Sequence, residues 1–565
     1  MNFDLKISGG LIVDGSGGAA CAGDVGIKDG RIVALGEAPG EADQVIRADG
    51  AVVAPGFVDI HTHYDAQILW DRMLSISPWH GVTTVVMGNC GFGVAPTRPR
   101  HRELMMRTLE KVEGMSFEAL EAGLGRDWPF ETFPEYLDAI EARGSAINVA
   151  VLVGHTPVRT YVMGDEASER AARPEEVADM RAIVAEAVAA GALGFATSKA
   201  GTHVGYQGKP VPSRLAEFDE ILDLAGALGD AGRGVIQATA GRDLSFDQFA
   251  LLTERTGRTV TWTALLTGLA LAGGDHRDQV ARSDELVAQG YDVVPQVTAR
   301  PLNFEYQFKE PFPFEPMSTF REAGVGAADA AAKKQIYADE GFRRAFAEKM
   351  RAGVRPTFRA AFAKTVISGC PTEPTLAERL LFEVAAERGL EPTALALDLA
   401  LASDLEARFR MPVANHDEDQ VEELLLNPNM VLGLSDAGAH ASQLCDACLP
   451  TYLLGHWVRE KQVLTLEQAI RMLTARPAEV FGIRDRGRLG LGLPADLVVF
   501  DPATVGDGPL ERVHDLPGGA DRLISEARGV EAVVVNGRVL RRGGADVIGA
   551  EDALPGKLLR GGQAA

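Results

Sequence analysis

Basic side chains are in the minority in this chain: 56 Lys and Arg stand against 79 Asp and Glu, a formal charge of -23 over 565 residues. A surface of that sign repels polyphosphate on average, which argues against nucleic acid as a partner. No stretch reaches the roughly 18 to 20 apolar residues that a membrane span needs. The opening Met1-Asn2-Phe3-Asp4-Leu5-Lys6 has no basic region followed by an apolar one, so the expectation is a cytoplasmic protein with no membrane partner. Cysteine is scarce and odd in number, five residues, which excludes a disulfide framework and leaves reduced thiols as the expectation. Cys445-Asp446-Ala447-Cys448 is a lone C-x-x-C without a second pair or a redox-type βαβ pattern, and reads as two ordinary thiols. Apolar residues, by contrast, make up 46% of the chain and the mean hydropathy is near zero. That composition belongs to a packed globular protein, long enough for one large domain and a smaller companion.

Short alternating runs fill the first fifty residues, among them Leu11-Ile12-Val13 and Ile32-Val33-Ala34-Leu35, separated by Gly and Asp turns. The texture returns in Ala495 to Phe500 and Val530 to Val539, where Asn536-Gly537 offers a hairpin turn. The two chain ends are therefore expected to close one sheet. Between them lie eight apolar runs separated by helical segments: Gly56 to Ile60, Val82 to Met87, Ile147 to Val153, Ala192 to Ala196, Gly234 to Ala238, Val260 to Leu266, Tyr291 to Val297 and Met430 to Leu434. Short Val- and Ile-rich runs alternating with amphipathic helices such as Pro174 to Ala190 argue for parallel strands buried on both faces. The fold expected is α/β, a (β/α)8 TIM-like barrel over 55–484, with a small β-sandwich domain formed by 1–54 and 485–550. The stretch at about 301–427 exceeds an ordinary crossover and reads as an inserted lid or an extra helical layer; its start, with Phe304, Tyr306, Phe308, Phe312 and Phe314, looks like a loop.

Barrels of this kind carry their chemistry where strands end. The first strand ends in Asp59-Ile60-His61-Thr62-His63, and alternate residues of an extended chain face one side, so both imidazoles can hold one metal ion. A His-x-His pair alone is a weak signal; its place at a strand end strengthens it. The second strand ends in Gly88-Asn89-Cys90-Gly91-Phe92, offering a thiolate at Cys90. The eighth ends in Ser435-Asp436-Ala437-Gly438-Ala439-His440. There Asp436 can bind a metal or take a proton from water, and His440 can support the transition state or orient Asp436.

Together with Pro55-Gly56-Phe57-Val58 before the first pair and Ala475-Arg476-Pro477-Ala478 and Ala495-Asp496-Leu497-Val498 in the tail, these motifs resemble the amidohydrolase superfamily, and within it the N-acyl-D-amino-acid deacylases. The resemblance implies a zinc-type hydrolase of an N-acyl amino acid or similar small amide. In it His61 and His63 bind metal, Cys90 reaches the metal centre and Asp436 is the catalytic acid and base. That branch also places a histidine at the end of the fifth strand and another at the end of the sixth. This chain reads Val235-Ile236-Gln237-Ala238-Thr239 and Thr261-Trp262-Thr263 there. Three arrangements stay open: one ion on His61, His63 and Asp436 with Cys90; an ion completed by His155, Lys199 or His203; or no metal. The first is favoured, since a catalytic zinc needs about three protein ligands and an open position.

Further candidates for substrate contact are His155 after the third strand, Lys199, His203 and Tyr206 after the fourth, Arg300 as a carboxylate clamp after the seventh, and His440. Two other readings stand beside amide hydrolysis: cleavage of a cyclic amide, lactone or C-C bond, and a non-catalytic barrel acting in assembly. Self-association is a further expectation, since barrels of this superfamily often assemble.

Overall fold

All eight expected runs are strands: β1 Phe57–Asp59, β2 Val82–Met87, β3 Asn148–Gly154, β4 Gly194–Ser198, β5 Val235–Thr239, β6 Val260–Thr263, β7 Val293–Val297 and β8 Val431–Leu432. They are seen in a computed structural model of the chain, which describes residues 2–269, 274–352 and 362–564. Each strand runs parallel to the next in sequence order. A parallel bridge between Thr62 and Ala437 joins the two ends of the sheet, with His63 N–H donating to Ala437 O at 2.7 Å. β1 and β8 are thus neighbours. Every residue of β2 to β7 is buried, the consequence of helices covering one face and barrel side chains the other.

The chain divides into two units, Met1–Leu265 with Leu271–Ala299 and Glu422–Ala565, and Leu266–Ala270 with Arg300–Val421. The first holds the barrel and a nine-stranded sheet built from both chain ends. In that sheet Val52–Pro55 pairs antiparallel with Leu497–Phe500, over a core that includes Ile7, Ile27, Val53 and Val534. Asp496, buried at the start of the returning strand, takes Arg486 as its ion-pair partner and accepts hydrogen bonds from Asn148 Nδ2 (2.7 Å) and Asn536 N–H (2.6 Å). Burying a carboxylate is tolerable only with such partners, and these three tie the sheet to the base of β3. Beyond residue 550 the chain returns to the barrel, where Val149 N–H donates to Lys557 O at 2.9 Å.

The second unit has its own four-stranded sheet, Leu302–Gln307, Arg408–Ala414, Val366–Gly369 and Arg379–Leu380. The aromatic run expected to be a loop is therefore a strand and the turn after it. Tyr306, Phe308 and Phe314 lie in the interior of this unit with ring centroids 5.4–6.0 Å apart. The physical reason is area: aromatic rings remove a large apolar surface from water when buried, and these pack with Tyr337 and Phe409 of the same unit. Residues 353–361 of the expected insertion lie outside the described residues. No helix among the described residues is long and apolar enough to cross a membrane.

Candidate metal centre

The strand ends of β1, β2 and β8 meet. Past β1 the extended chain sets His61 and His63 on one side, their ring centroids 5.3 Å apart. Past β8 the backbone turns sharply, with Leu434, Asp436 and His440 all at positive φ. Ser435 Oγ donates to Asp59 Oδ2 at 2.5 Å and pins this turn to β1. Asp436 Oδ1 then lies 3.2 Å from His61 Nε2 and 3.6 Å from His63 Nε2.

The turn after β2 is squeezed between strands. Gly88 has φ 87° and a Cβ there would sit 2.2 Å from Leu152 O, so only glycine fits. Asn89 Nδ2 donates to Val86 O at 3.0 Å, and Cys90 N–H donates to Gln237 Oε1 at 2.7 Å. These contacts hold Cys90 Sγ 3.4 Å from His61 Nε2. The ligating atoms of His61, His63 and Cys90 all lie within 4.8 Å of one another.

His61 is oriented through its other nitrogen. His61 Nδ1–H donates to Gln296 Oε1 at 2.7 Å, because the amide oxygen can only accept. Gln296 Nε2 in turn donates to Thr261 Oγ1 at 3.1 Å. This turns His61 Nε2 toward Cys90 and Asp436, as the nitrogen whose lone pair would bind an ion. His63 Nδ1 lies 3.1 Å from Glu113 Oε1.

The charges reinforce one another. Burial would raise Asp436, yet His61 and His63 hold its carboxyl well below the usual carboxylate range. Burial likewise opposes ionisation of Cys90, but the two imidazoles bring the thiol down to about 7. His63 feels burial pulling down and Glu113, Asp436 and Cys90 pulling up, and ends well above the ordinary imidazole value. Behind β1, burial pushes Asp59 up to about 6.

These donors suit a divalent ion of the zinc type. Tetrahedral zinc with N, O and S ligands sets its donor atoms about 3.3–3.8 Å apart; three of the separations here are 3.2, 3.4 and 3.6 Å, and the His61, His63 and Cys90 donors lie within 4.8 Å of one another. Two imidazoles, one thiol and one carboxylate also match the ion's borderline softness.

Of the other expected site residues, His203 is near the centre and two are committed elsewhere. His203 accepts from or donates to Ser198 Oγ at 2.6 Å, and its ring lies 5.0 Å from that of Phe92. Burial, with His63 and His440 adding repulsion, pushes it down to about 3, so it is neutral. His440 follows Asp436 on the same loop, its N–H donating to Glu113 O. His155 is a correction: it is fully buried, with Nδ1 bonded to Thr197 Oγ1 and Nε2 to Glu220 Oε1, both at 2.8 Å. Neither nitrogen remains for substrate or metal. Lys199 is another: its ammonium donates to Arg214 O (2.8 Å) and Ala216 O (2.6 Å), which makes it a brace for the loop. Tyr206 is exposed, and among the described residues its one ring contact is the Arg107 guanidinium at 6.0 Å. Arg300 belongs to the second unit, where it is buried.

Three residues at the centre escaped the sequence reading: Glu113, Gln237 and Gln296. The two glutamines did leave a signal, an amide inside an otherwise apolar strand, which burial would penalise unless it had a partner. Glu113 left a fainter one, a carboxylate at the last residue of the helix Arg102–Glu113, where the helix dipole disfavours it.

Comparison with known proteins shows the family. The sequence model of the amidohydrolase family matches residues 44–541. The chain is 31% identical over 545 residues to the D-aminoacylase of Alcaligenes xylosoxydans xylosoxydans, spanning 95% of this chain and 94% of that one. It is 32% identical over 572 residues to the N-acyl-D-aspartate deacylase of the same organism, spanning 99% and 96%. Among solved structures, N-acyl-D-glutamate deacylase from Bordetella bronchiseptica, complexed with zinc and a phosphonate inhibitor, matches with TM-score 0.64 at 27% identity, over 99% of this chain and 100% of that chain. With the barrel, the strand-end donors and a family match over most of its length, the chain belongs to the amidohydrolase family.

Proposed function

We propose that this amidohydrolase cleaves the amide bond of an N-acyl amino acid, using one divalent ion of the zinc type held by His61, His63, Cys90 and Asp436. The observation that carries the reading is the convergence of those four side chains from three strand ends, with Asp436 Oδ1 within 3.2 and 3.6 Å of the two imidazoles. The substrate class is supported by the relatives named for D-aminoacylase and N-acyl-D-aspartate deacylase activity.

A single ion fits the surroundings. At the ends of β5 and β6 stand Gln237, Thr239 and Thr263, neutral side chains that bond one another and Cys90 N–H. Among the described residues one group of three or more candidate ligands is present.

When bound, the ion supplies Lewis acidity to a water and to the scissile carbonyl. Asp436 performs the proton transfers. Its carboxylate, 27% exposed and with Oδ1 3.2 Å and 3.6 Å from the two imidazole Nε2 atoms, stands where it takes a proton from the attacking water and delivers it to the leaving amine as the C–N bond breaks. Gln296 and Gln237 keep His61 and Cys90 in place without adding charge. Purified protein should carry about one zinc per chain and should release amine from N-acyl amino acids of one hand in a screen of both. Metal-free protein with no turnover on any member of the screen would overturn the proposal and leave a non-catalytic barrel as the better account.

A further inference from the structure

Glu113 stands where neither helix chemistry nor solvation favours it. It ends the helix Arg102–Glu113, so its carboxylate meets the negative end of the helix dipole. It is also 6% exposed, so it has lost most of its hydration. A polar residue kept in so unfavourable a place needs a partner, and the structure gives one: Glu113 Oε1 lies 3.1 Å from His63 Nδ1, on the side of the ring opposite Nε2, which faces Asp436. The main chain at the same point also touches the site, since Glu113 O accepts the N–H of His440. Gly114, at φ 63°, lies so close that an added Cβ would be 2.8 Å from His440 Nδ1. One helix end thus contacts the first-strand imidazole with its side chain and the eighth-strand loop with its backbone.

We infer that Glu113 is the positioning residue of the metal centre: its carboxylate fixes the ring and tautomer of His63 so that Nε2 is the ligating atom. The inference rests on the proposed role of His63 as a ligand. His61 and His63 are then held differently, the first by a neutral amide and the second by a carboxylate. A carboxylate behind an imidazole makes the ring a stronger donor as well as a fixed one. His63 is accordingly the ligand whose strength depends most on its partner.

The test compares wild type with Glu113→Gln and Glu113→Ala, reading zinc affinity by competition with a chromophoric chelator and the thiolate-to-cobalt absorption of the cobalt-loaded proteins. Loss of the carboxylate should weaken zinc binding by about 10- to 100-fold, with Glu113→Ala at least as weak as Glu113→Gln, and should shift the cobalt spectrum. Metal-free Glu113→Gln is melted beside metal-free wild type as a folding control, since it too loses the buried partner of His63. A residue serving only the fold would change the melting temperature while leaving zinc affinity and the cobalt spectrum as in wild type, and that result overturns the inference. If wild type binds neither zinc nor cobalt, the reading of the centre falls and this inference with it. If wild type binds and Glu113→Gln binds equally well, only the role of Glu113 falls.

Discussion

Asp436→Asn isolates the chemistry from the architecture. Asp436 has φ 45°, a left-handed backbone that Asn adopts nearly as readily as Asp, whereas Ala there would cost about 1–2 kcal/mol. The amide keeps the size of the carboxylate and removes the negative oxygen that stands 3.2 Å from His61 Nε2 and 3.6 Å from His63 Nε2. A positioned proton acceptor contributes roughly 10²- to 10⁴-fold in rate, or about 3–5 kcal/mol of barrier, before any loss of metal is added. The thermal melt serves as the folding control: the variant loses a carboxylate that two buried imidazoles hold ionised, so it should be destabilised but still folded. The assay is turnover of an N-acyl amino acid beside a thermal melt of the same preparation. The expected result is a loss of turnover of at least 100-fold, about the lower bound for a proton acceptor, in a protein that still melts cooperatively. A folded Asp436→Asn protein retaining more than about a tenth of wild-type turnover would refute the assignment.

Gln296→Leu removes the acceptor of His61 Nδ1–H and should weaken zinc binding by about 10-fold or more in a chelator competition; equal affinity would show that the amide does not orient His61. Gly88→Ala forces a Cβ to 2.2 Å from Leu152 O at φ 87°, so urea denaturation should show a loss of at least about 2 kcal/mol, and a loss under about 0.5 kcal/mol would contradict the close packing of this turn. Glu220→Gln breaks a buried ion pair with Arg159 and should cost about 3–5 kcal/mol at neutral pH. Burial raises Glu220, but His155 and Arg159 hold it below its ordinary 4.5. The wild-type advantage should therefore be complete above that value and fade as pH falls through the lower folded-state pKa. A deficit that stays constant from neutral to strongly acidic pH would count against the pairing.

Fold class was legible along the chain, and so was the standing of His61, His63, Cys90 and Asp436 at strand ends; Glu113, Gln237 and Gln296 were not. A run such as Val82 to Met87 can only be covered on both faces, and eight of them separated by helices leave few arrangements other than a closed parallel barrel. His61 and His63 could be read because two residues of spacing fixes a shared side on an extended chain. The aromatic run from Phe304 was misjudged as a loop, since aromatic composition alone does not distinguish a surface segment from the start of a second core. His155 and Lys199 looked like site residues for the same kind of reason: position after a strand says that a side chain is near the rim, while its hydrogen-bond partners decide whether it is free to act. Thr197, Glu220 and two carbonyls decided otherwise.

The order of residues determined which elements form and which donor atoms stand at each strand end, because periodicity and turn chemistry act over a few neighbouring positions. Closure of the barrel decided the rest. Only when Thr62 meets Ala437 does Asp436 reach imidazoles 375 and 373 positions earlier, and only the packed helix end brings Glu113 to His63. Coordination, orientation and charge coupling fall off within a few ångströms, and separation along the chain carries no information at that scale until the chain is folded.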